Sequence, residues 1–163
     1  MQGRSRKNKG YILIEAIIAI TIAVVGLLGI FSLLSRSLSL NRVVADRFVA
    51  AYLAAEGIEI AKNLIDNNIL AGRPWNAGLA DGTYEADYAD TGLVPATGRF
   101  INMSADTGAY GYTELVPTLM KRGIRIKNSA DGEQITVGSR VNWTTRGGGK
   151  FDINLEEHLF HWR

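Results

Sequence analysis

The chain of 163 residues is 47% hydrophobic and 21% charged and contains no cysteine. That is material for one modest domain, and it excludes a disulfide framework, a thiolate zinc site and a cysteine nucleophile. The 18 basic and 16 acidic side chains are unevenly placed: Arg4, Arg6, Lys7 and Lys9 crowd the first ten residues with no acid among them, leaving 14 bases against 16 acids in residues 11–163. The basic character is therefore a short head, and a molecule-wide surface for nucleic acid is not expected.

Tyr11 to Leu34 follows as an unbroken apolar run of 24 residues whose one charge is Glu15. As a helix it would be about 36 Å long at about 1.5 Å per residue, against a hydrocarbon core of about 30 Å. It is apolar on every side, so it reads as a membrane span and not as an amphipathic core helix. The run is too long for a secretory signal, and the following SLLSRSLSL offers no small-residue cleavage site. Four bases precede the span, while Arg36, Arg42 and Arg47 follow with only Asp46 among them. That asymmetry favours a cytoplasmic N-terminus and an exported body. An acid in such a span needs a partner or a solvated position, because its insertion costs about 2.5–3.5 kcal/mol at the helix centre.

The segment Lys9-Gly10-Tyr11-Ile12-Leu13-Ile14-Glu15, behind a basic leader and ahead of the long apolar stem, resembles the start of type IV pilins and pseudopilins. The resemblance covers residues 1 to about 40. It implies that Gly10 is the last leader residue and that a prepilin peptidase cuts between Gly10 and Tyr11. It implies too that the new Tyr11 amine is methylated, and that Glu15 meets the N-terminal amine of a neighbouring subunit during assembly. Two charges that would each be costly in an apolar bundle become tolerable as a hydrogen-bonded pair. Tyr11 stands where the family most often has Phe. The proline that many major pilins carry in the stem is absent, so no proline kink is expected, and Gly26 and Gly29 are the places for the helix to loosen.

The helical pattern continues from Asn41 to about Asn68. Val44, Phe48, Tyr52, Ala55, Ile58 and Ile65 lie near one face, broadened by Val49, Leu53, Ile60 and Leu64, and are expected to face the core. Arg42/Asp46, Lys62/Asp66 and Glu59/Lys62 are expected on the wetter side. Gly57 reads as a weak point within the helix. Asn67-Asn68, Gly72 and Pro74 are stop signals, giving one helix from Tyr11 to about Asn68, about 87 Å long. Residues 75–117 read as an irregular connection with short strands at Thr83–Tyr88 and Phe100–Met103. A strand is expected at Gly123–Lys127, a turn at Ala130-Asp131-Gly132 and the strongest strand from Ile135 to Trp143. The Gly147-Gly148-Gly149 turn then leads back into Phe151, Ile153 and Leu155. The last eight residues, EEHLFHWR, read as a short helix or closing segment. This ending, with Val141-x-Trp143, a glycine turn and Leu159-x-x-Trp162-Arg163, is similar to minor pilins of the pilus-modification type.

The expected fold class is thus α+β and pilin-like, a long N-terminal helix, half transmembrane, packed on a small antiparallel sheet. Its divisions are a leader at 1–10, a transmembrane and assembly helix at 11–34, an amphipathic continuation at 35–70 and a β-rich head at 71–163. No catalytic motif, metal site or cofactor is expected. His158 and His161 are the only histidines, with no third ligand, and the Gly147–Lys150 run lacks the helix of a phosphate loop. Asp81, Glu85, Asp87 and Asp90 read as a solvated loop without the spacing of a calcium loop. Lys121, Arg122, Arg125 and Lys127 form the basic patch of the body. With Tyr110 and Tyr112 as stacking partners they suit DNA, and as a solvated strand face they need no ligand.

The resemblance implies a non-enzymatic fibre subunit, a minor pilin by its ending, held in the cytoplasmic membrane and then moved to a surface or periplasmic fibre. Its implied partners are prepilin peptidase, other pilin subunits, and the pilus or secretion assembly platform with its ATPase. A pseudopilin of type II secretion or DNA uptake shares the same motif. From another class, an uncleaved, membrane-tethered binding module shares the span.

Overall fold

A computed structural model describes residues 8–145 and 147–161. The chain divides into two compact units, Met1–Val44 and Ala45–Arg163, and one helix, α1 (Asn8–Leu70), runs through both. The protein is α+β: a long N-terminal apolar helix and an antiparallel sheet. The helix begins within the basic head and passes Gly26 and Gly29 without interruption.

In the first unit every residue from Gly10 to Arg42 is exposed. The apolar side chains there, Ile12, Leu13, Ile17, Ile20, Leu27, Phe31 and Leu33 among them, have no partner in the described residues. Thr21 returns its hydroxyl to the Ile17 carbonyl at 2.7 Å, so even this polar side chain adds nothing polar to the perimeter.

The second unit begins on the same helix, which ends where the sequence places its stop. Gly72 takes φ +67°, its N–H reaches the Ile69 carbonyl at 3.0 Å, and the Arg73 N–H reaches Asn68 at 2.9 Å. These two bonds make a Schellman cap, and Pro74 prevents continuation. The buried Asn68 amide donates to the Trp75 and Ala77 carbonyls and fixes the exit.

Seven strands follow: β1 (Gly82–Glu85), β2 (Val94–Pro95), β3 (Ile101–Met103), β4 (Tyr110–Gly111), β5 (Val116–Asn128), β6 (Gln134–Thr144) and β7 (Lys150–Phe160). Every pairing is antiparallel. The β5–β6–β7 meander is the body of the sheet, and the far side of β5 is shared by β1 and β3. Gly132 (φ +73°) turns β5 into β6, with the Asp131 carboxylate accepting from the Glu133 N–H. Gly148 (φ +81°) lies in the turn from β6 to β7. The expected irregular connection thus holds four short strands, two of them only two residues long. These were illegible because two residues cannot establish an alternation. The last segment is not helical as far as it is described: β7 runs straight through Glu156 to Phe160, because its register continues against Gln134–Gly138 and its backbone on that side joins the β6 ladder.

Between helix and sheet lie two apolar clusters. One joins Ile58, Ile60, Ala61 and Ile65 to Trp75, Leu79, Ile124, Ile126, Ile135 and Val137. The other joins Ala50, Leu53 and Ala54 to Ile101, Met120, Val141 and Trp143. The expected face is met in part: Leu53, Ile58, Ile60 and Ile65 are buried and Val49 and Leu64 half-buried, while the rest of it is not. Phe48 and Tyr52 are 64% and 77% exposed, and Val44 and Ala55 are exposed as well. The sheet instead meets Ala50, Ala54, Gly57 and Ala61. Small side chains let the backbones approach, while hydrophobic size alone does not tell Phe48 and Tyr52 from Leu53 and Ile58. Gly57 is the point of closest approach, since a Cβ there would lie 2.3 Å from Ser139 Oγ and 3.1 Å from Arg122 Cδ. It is a packing requirement and not a weak point.

Candidate functional site: the exposed stem and its one acid

Gly10, Tyr11 and Glu15 all lie within α1. Tyr11 is 75% exposed, and Glu15 is exposed one turn further on, without an ion pair among the described residues. A Cβ added to Gly10 would meet nothing within 4 Å. Glycine in a helix costs about 1 kcal/mol relative to alanine, and at position 10 neither φ nor packing within this chain calls for it. The same holds for Gly26 and Gly29.

The stretch from Tyr11 to Leu34 is long and apolar enough to cross a membrane, and none of the most apolar window is buried. A helix of this kind has no stripe to turn toward a core and no polar stripe to turn toward water. Lipid, or other helices of the same character, is the environment its surface fits.

The other residues singled out in the sequence are dispersed by the fold. Arg122 leaves the basic patch altogether. It is 3% exposed on the inner face of β5 and sits at the junction of the two core clusters. Its Nη1 donates to Glu56 Oε2 at 3.1 Å and to the Leu53 carbonyl at 2.9 Å, and its Nη2 donates to the Ala86 carbonyl. It ties helix, sheet and the segment after β1 together. Lys121 lies over the Phe100 ring at 4.3 Å. Tyr112 is covered by the Arg99 guanidinium at 4.1 Å, and burial raises its phenol pKa against the lowering effect of Arg122. Lys121, Arg125 and Lys127 share the outer face of β5, while Arg122 is buried on the inner one and Tyr112 is covered by Arg99, so the patch with stacking tyrosines is not assembled.

The acidic segment is likewise not a solvated loop, because its carboxylates serve as acceptors for backbone N–H groups. Glu85, 1% exposed, accepts from the N–H groups of Thr97, Gly98 and Arg99 at 3.1, 2.6 and 3.0 Å. The Arg99 guanidinium closes the ring at 2.7 Å. Burial pushes the Glu85 pKa up, but the Arg99 side chain and the Arg99 and Gly98 N–H groups outweigh it and hold the carboxyl below its ordinary value. Asp87 accepts from Ala89 and Tyr112, and Asp81 accepts from Asn128. No group of three or more His, Asp or Glu suited to a metal occurs among the described residues.

His158 and His161 part company because their segment is a strand and not a helix. His158 stands on the outer face beside Gln134, Thr136 and Glu156. His161 stacks on Trp75 at 5.1 Å. Arg163 and Trp162, the end of the pilus-modification-like signature, lie outside the described residues, as does the leader up to residue 7.

No family model, no curated protein and no solved structure matches this chain.

Proposed function

We propose that the chain is a structural subunit of a type IV pilus-like fibre, a minor pilin and not an enzyme. It is cut between Gly10 and Tyr11 by a prepilin peptidase, which also methylates the new amine. It waits in the cytoplasmic membrane with its N-terminus inside, and an assembly platform with its ATPase then moves it into a fibre at the cell surface. In the fibre, stems bundle together and each Glu15 neutralises the amine of an adjacent subunit. The observation that carries this reading is the stem itself: an all-round apolar, fully exposed helix whose one charge lies a turn beyond a glycine that the fold does not need. In the second unit Phe48 and Tyr52 are exposed as well.

Intact mass of the protein extracted from membranes tests the proposal. A chain beginning at Tyr11 and carrying one added methyl group is the expected result. A chain that keeps its leader would replace the fibre subunit with a tethered module. A processed chain recovered only from the periplasm, never from sheared surface fibres, would move it to a secretion or DNA-uptake system.

A further inference from the structure

Three of the chain's six tyrosines meet at one place in the head. Val49, Tyr52, Leu53 and Glu56 follow the i, i+3, i+4, i+7 spacing on α1 and so share one helix face. Tyr88, from the segment after β1, and Tyr110, from β4, complete the lining of a hollow of about 530 Å³. Val49 and Tyr110 rest in part on the core cluster beneath. The fold does not account for the other two tyrosines. Tyr52 is 77% exposed and Tyr88 63%. The Tyr84 hydroxyl donates to the Ala80 carbonyl at 3.0 Å, but those of Tyr52 and Tyr88 have no partner among the described residues. One exposed aromatic residue is ordinary, whereas several gathered around a hollow mark a place of contact.

Glu56 is the one charged side chain among the described residues that line the hollow. Its Oε2 accepts from Arg122 Nη1 at 3.1 Å, but the Arg122 side chain is 1% exposed against 30% for Glu56. That arginine lies behind the lining, with its other contacts going to the Leu53 and Ala86 carbonyls. The second Glu56 oxygen, Oε1, has no donor among the described residues. The surface of the hollow is thus electron-rich. It offers a carboxylate oxygen, three phenol oxygens and three aromatic rings, with no lysine, arginine, histidine or amide side chain beside them.

This surface selects the charge of what it holds. An anion would face Glu56 and find no cation within the lining. A saccharide would find rings to stack on but no guanidinium or amide to donate to its hydroxyl oxygens. An apolar group would suit Val49 and Leu53 while taking water from the Glu56 carboxylate and putting nothing in its place. A cation is attracted by the carboxylate and by the tyrosine rings alike. Between cations, the compact ammonium of a lysine is strongly hydrated and would lose that water against Val49 and Leu53. A quaternary ammonium brings methyl groups to the apolar side chains and a diffuse charge to the rings.

We infer that the hollow between α1, Tyr88 and Tyr110 binds a quaternary ammonium group. Tyr52, Tyr88 and Tyr110 surround its methyl groups, Val49 and Leu53 form the apolar floor, and Glu56 supplies the opposing charge. The inference uses residues of the second unit alone and is independent of the fibre reading.

Nuclear magnetic resonance of the full chain with isotope-labelled tyrosine rings tests it, in a maltoside detergent that carries no ammonium head group. Choline is the probe, and saturable shifts of the Tyr52, Tyr88 and Tyr110 signals are expected. The uncharged tert-butyl analogue of choline has the same shape and should bind at least about tenfold more weakly, because it keeps the apolar contacts and loses the attraction of three rings and a carboxylate. Phosphocholine separates two sources of the group: weaker binding than choline, from repulsion of its phosphate by Glu56, points to a free compound, and tighter binding to a head group. Tyr52→Leu and Tyr88→Leu, both at exposed positions, should each weaken choline binding by about two- to fivefold without moving the melting temperature. Together they should weaken it by at least about fivefold, read from Tyr110. The inference is overturned by any one of three results: no saturable shift with choline, equal affinity for the uncharged analogue, or wild-type affinity in the folded double variant.

Discussion

At the scale of single residues, two side-chain environments decide much of the head's stability. Gly57 sits where the helix backbone comes closest to β6, and its missing Cβ makes room for Ser139 Oγ and Arg122 Cδ. On an open helix surface, glycine to alanine gains about 1 kcal/mol. Here the steric clash reverses the sign, and Gly57→Ala should destabilise by about 1–3 kcal/mol. Thermal unfolding followed by circular dichroism checks this, with Gly29→Ala, which meets nothing within 4 Å, as the variant that should not destabilise.

Glu85 is the second case. Its carboxyl titrates below the ordinary range, so the folded state binds that proton less tightly than the unfolded chain does. The stabilisation is present in full above the unfolded value of about 4.3 and is lost as pH falls through the lower folded value. Asp81 and Asp131 are shifted in the same direction, Asp81 by hydrogen bonds from Asn128, Asp131 by those from Ser129 and Glu133. Glu85→Gln should cost about 1.5–3 kcal/mol near neutral pH, the worth of a charged hydrogen bond. The gap between variant and wild type should close as the pH drops below about 4, in denaturant titrations run across that range.

Among the elements, β7 is the exposed margin. Its backbone pairs with β6 on one side only, which makes it a template for another strand. Its alternate residues Phe151, Ile153, Leu155 and Leu159 turn inward and are half-buried. Glu157 breaks that inward row and reaches Lys62 on α1 at 3.5 Å, while Lys62 also holds Glu59 at 3.1 Å. An inward-pointing charge is a known guard against edge-to-edge pairing. Glu157→Val completes the apolar row and removes the guard, so the head should self-associate at concentrations where the wild type does not. Sedimentation velocity in detergent provides the comparison, and an unchanged distribution would mean the guard lies elsewhere. The helix teaches a related lesson. Its apolar residues between Phe48 and Ile65 cover more than one stripe, and the sheet takes the one where Ala50, Ala54, Gly57 and Ala61 alternate with Leu53, Ile58 and Ile65, leaving Phe48 and Tyr52 outward.

For the molecule as a whole, the question is why a chain should carry a helix it cannot bury. The fibre reading answers it with other copies of the same helix, and two expected outcomes bear on that answer. Gly10→Leu should block maturation: the fold itself has room for the leucine, so any loss of cleavage belongs to the peptidase and not to misfolding. Electrophoretic mobility of membrane fractions reads the uncut form, and normal maturation would count against the assigned cleavage site. Glu15→Ala should leave cleavage intact and lower recovery in sheared fibres by about tenfold or more, because an amine left unpaired in an apolar bundle costs on the order of 3 kcal/mol. Equal recovery of mutant and wild type would falsify the pairing.

How much of this was legible from the residues alone follows from the range of the forces involved. The span, the stop at Gly72-Pro74, the meander of the last third and its glycine turns are set by local rules, and each reads directly from neighbouring residues. So does Glu15, since a single acid in an apolar run stands out in any conformation. The fold alone decided which stripe of the helix is buried, that Gly57 is a contact and that Arg122 faces inward. It also decided that the acids between Asp81 and Asp90 are hydrogen-bond acceptors. Each of these depends on atoms brought together from residues far apart in the chain, Gly57 with Ser139, Glu56 with Arg122, Glu85 with Arg99. Neighbour-to-neighbour pattern carries no record of such meetings.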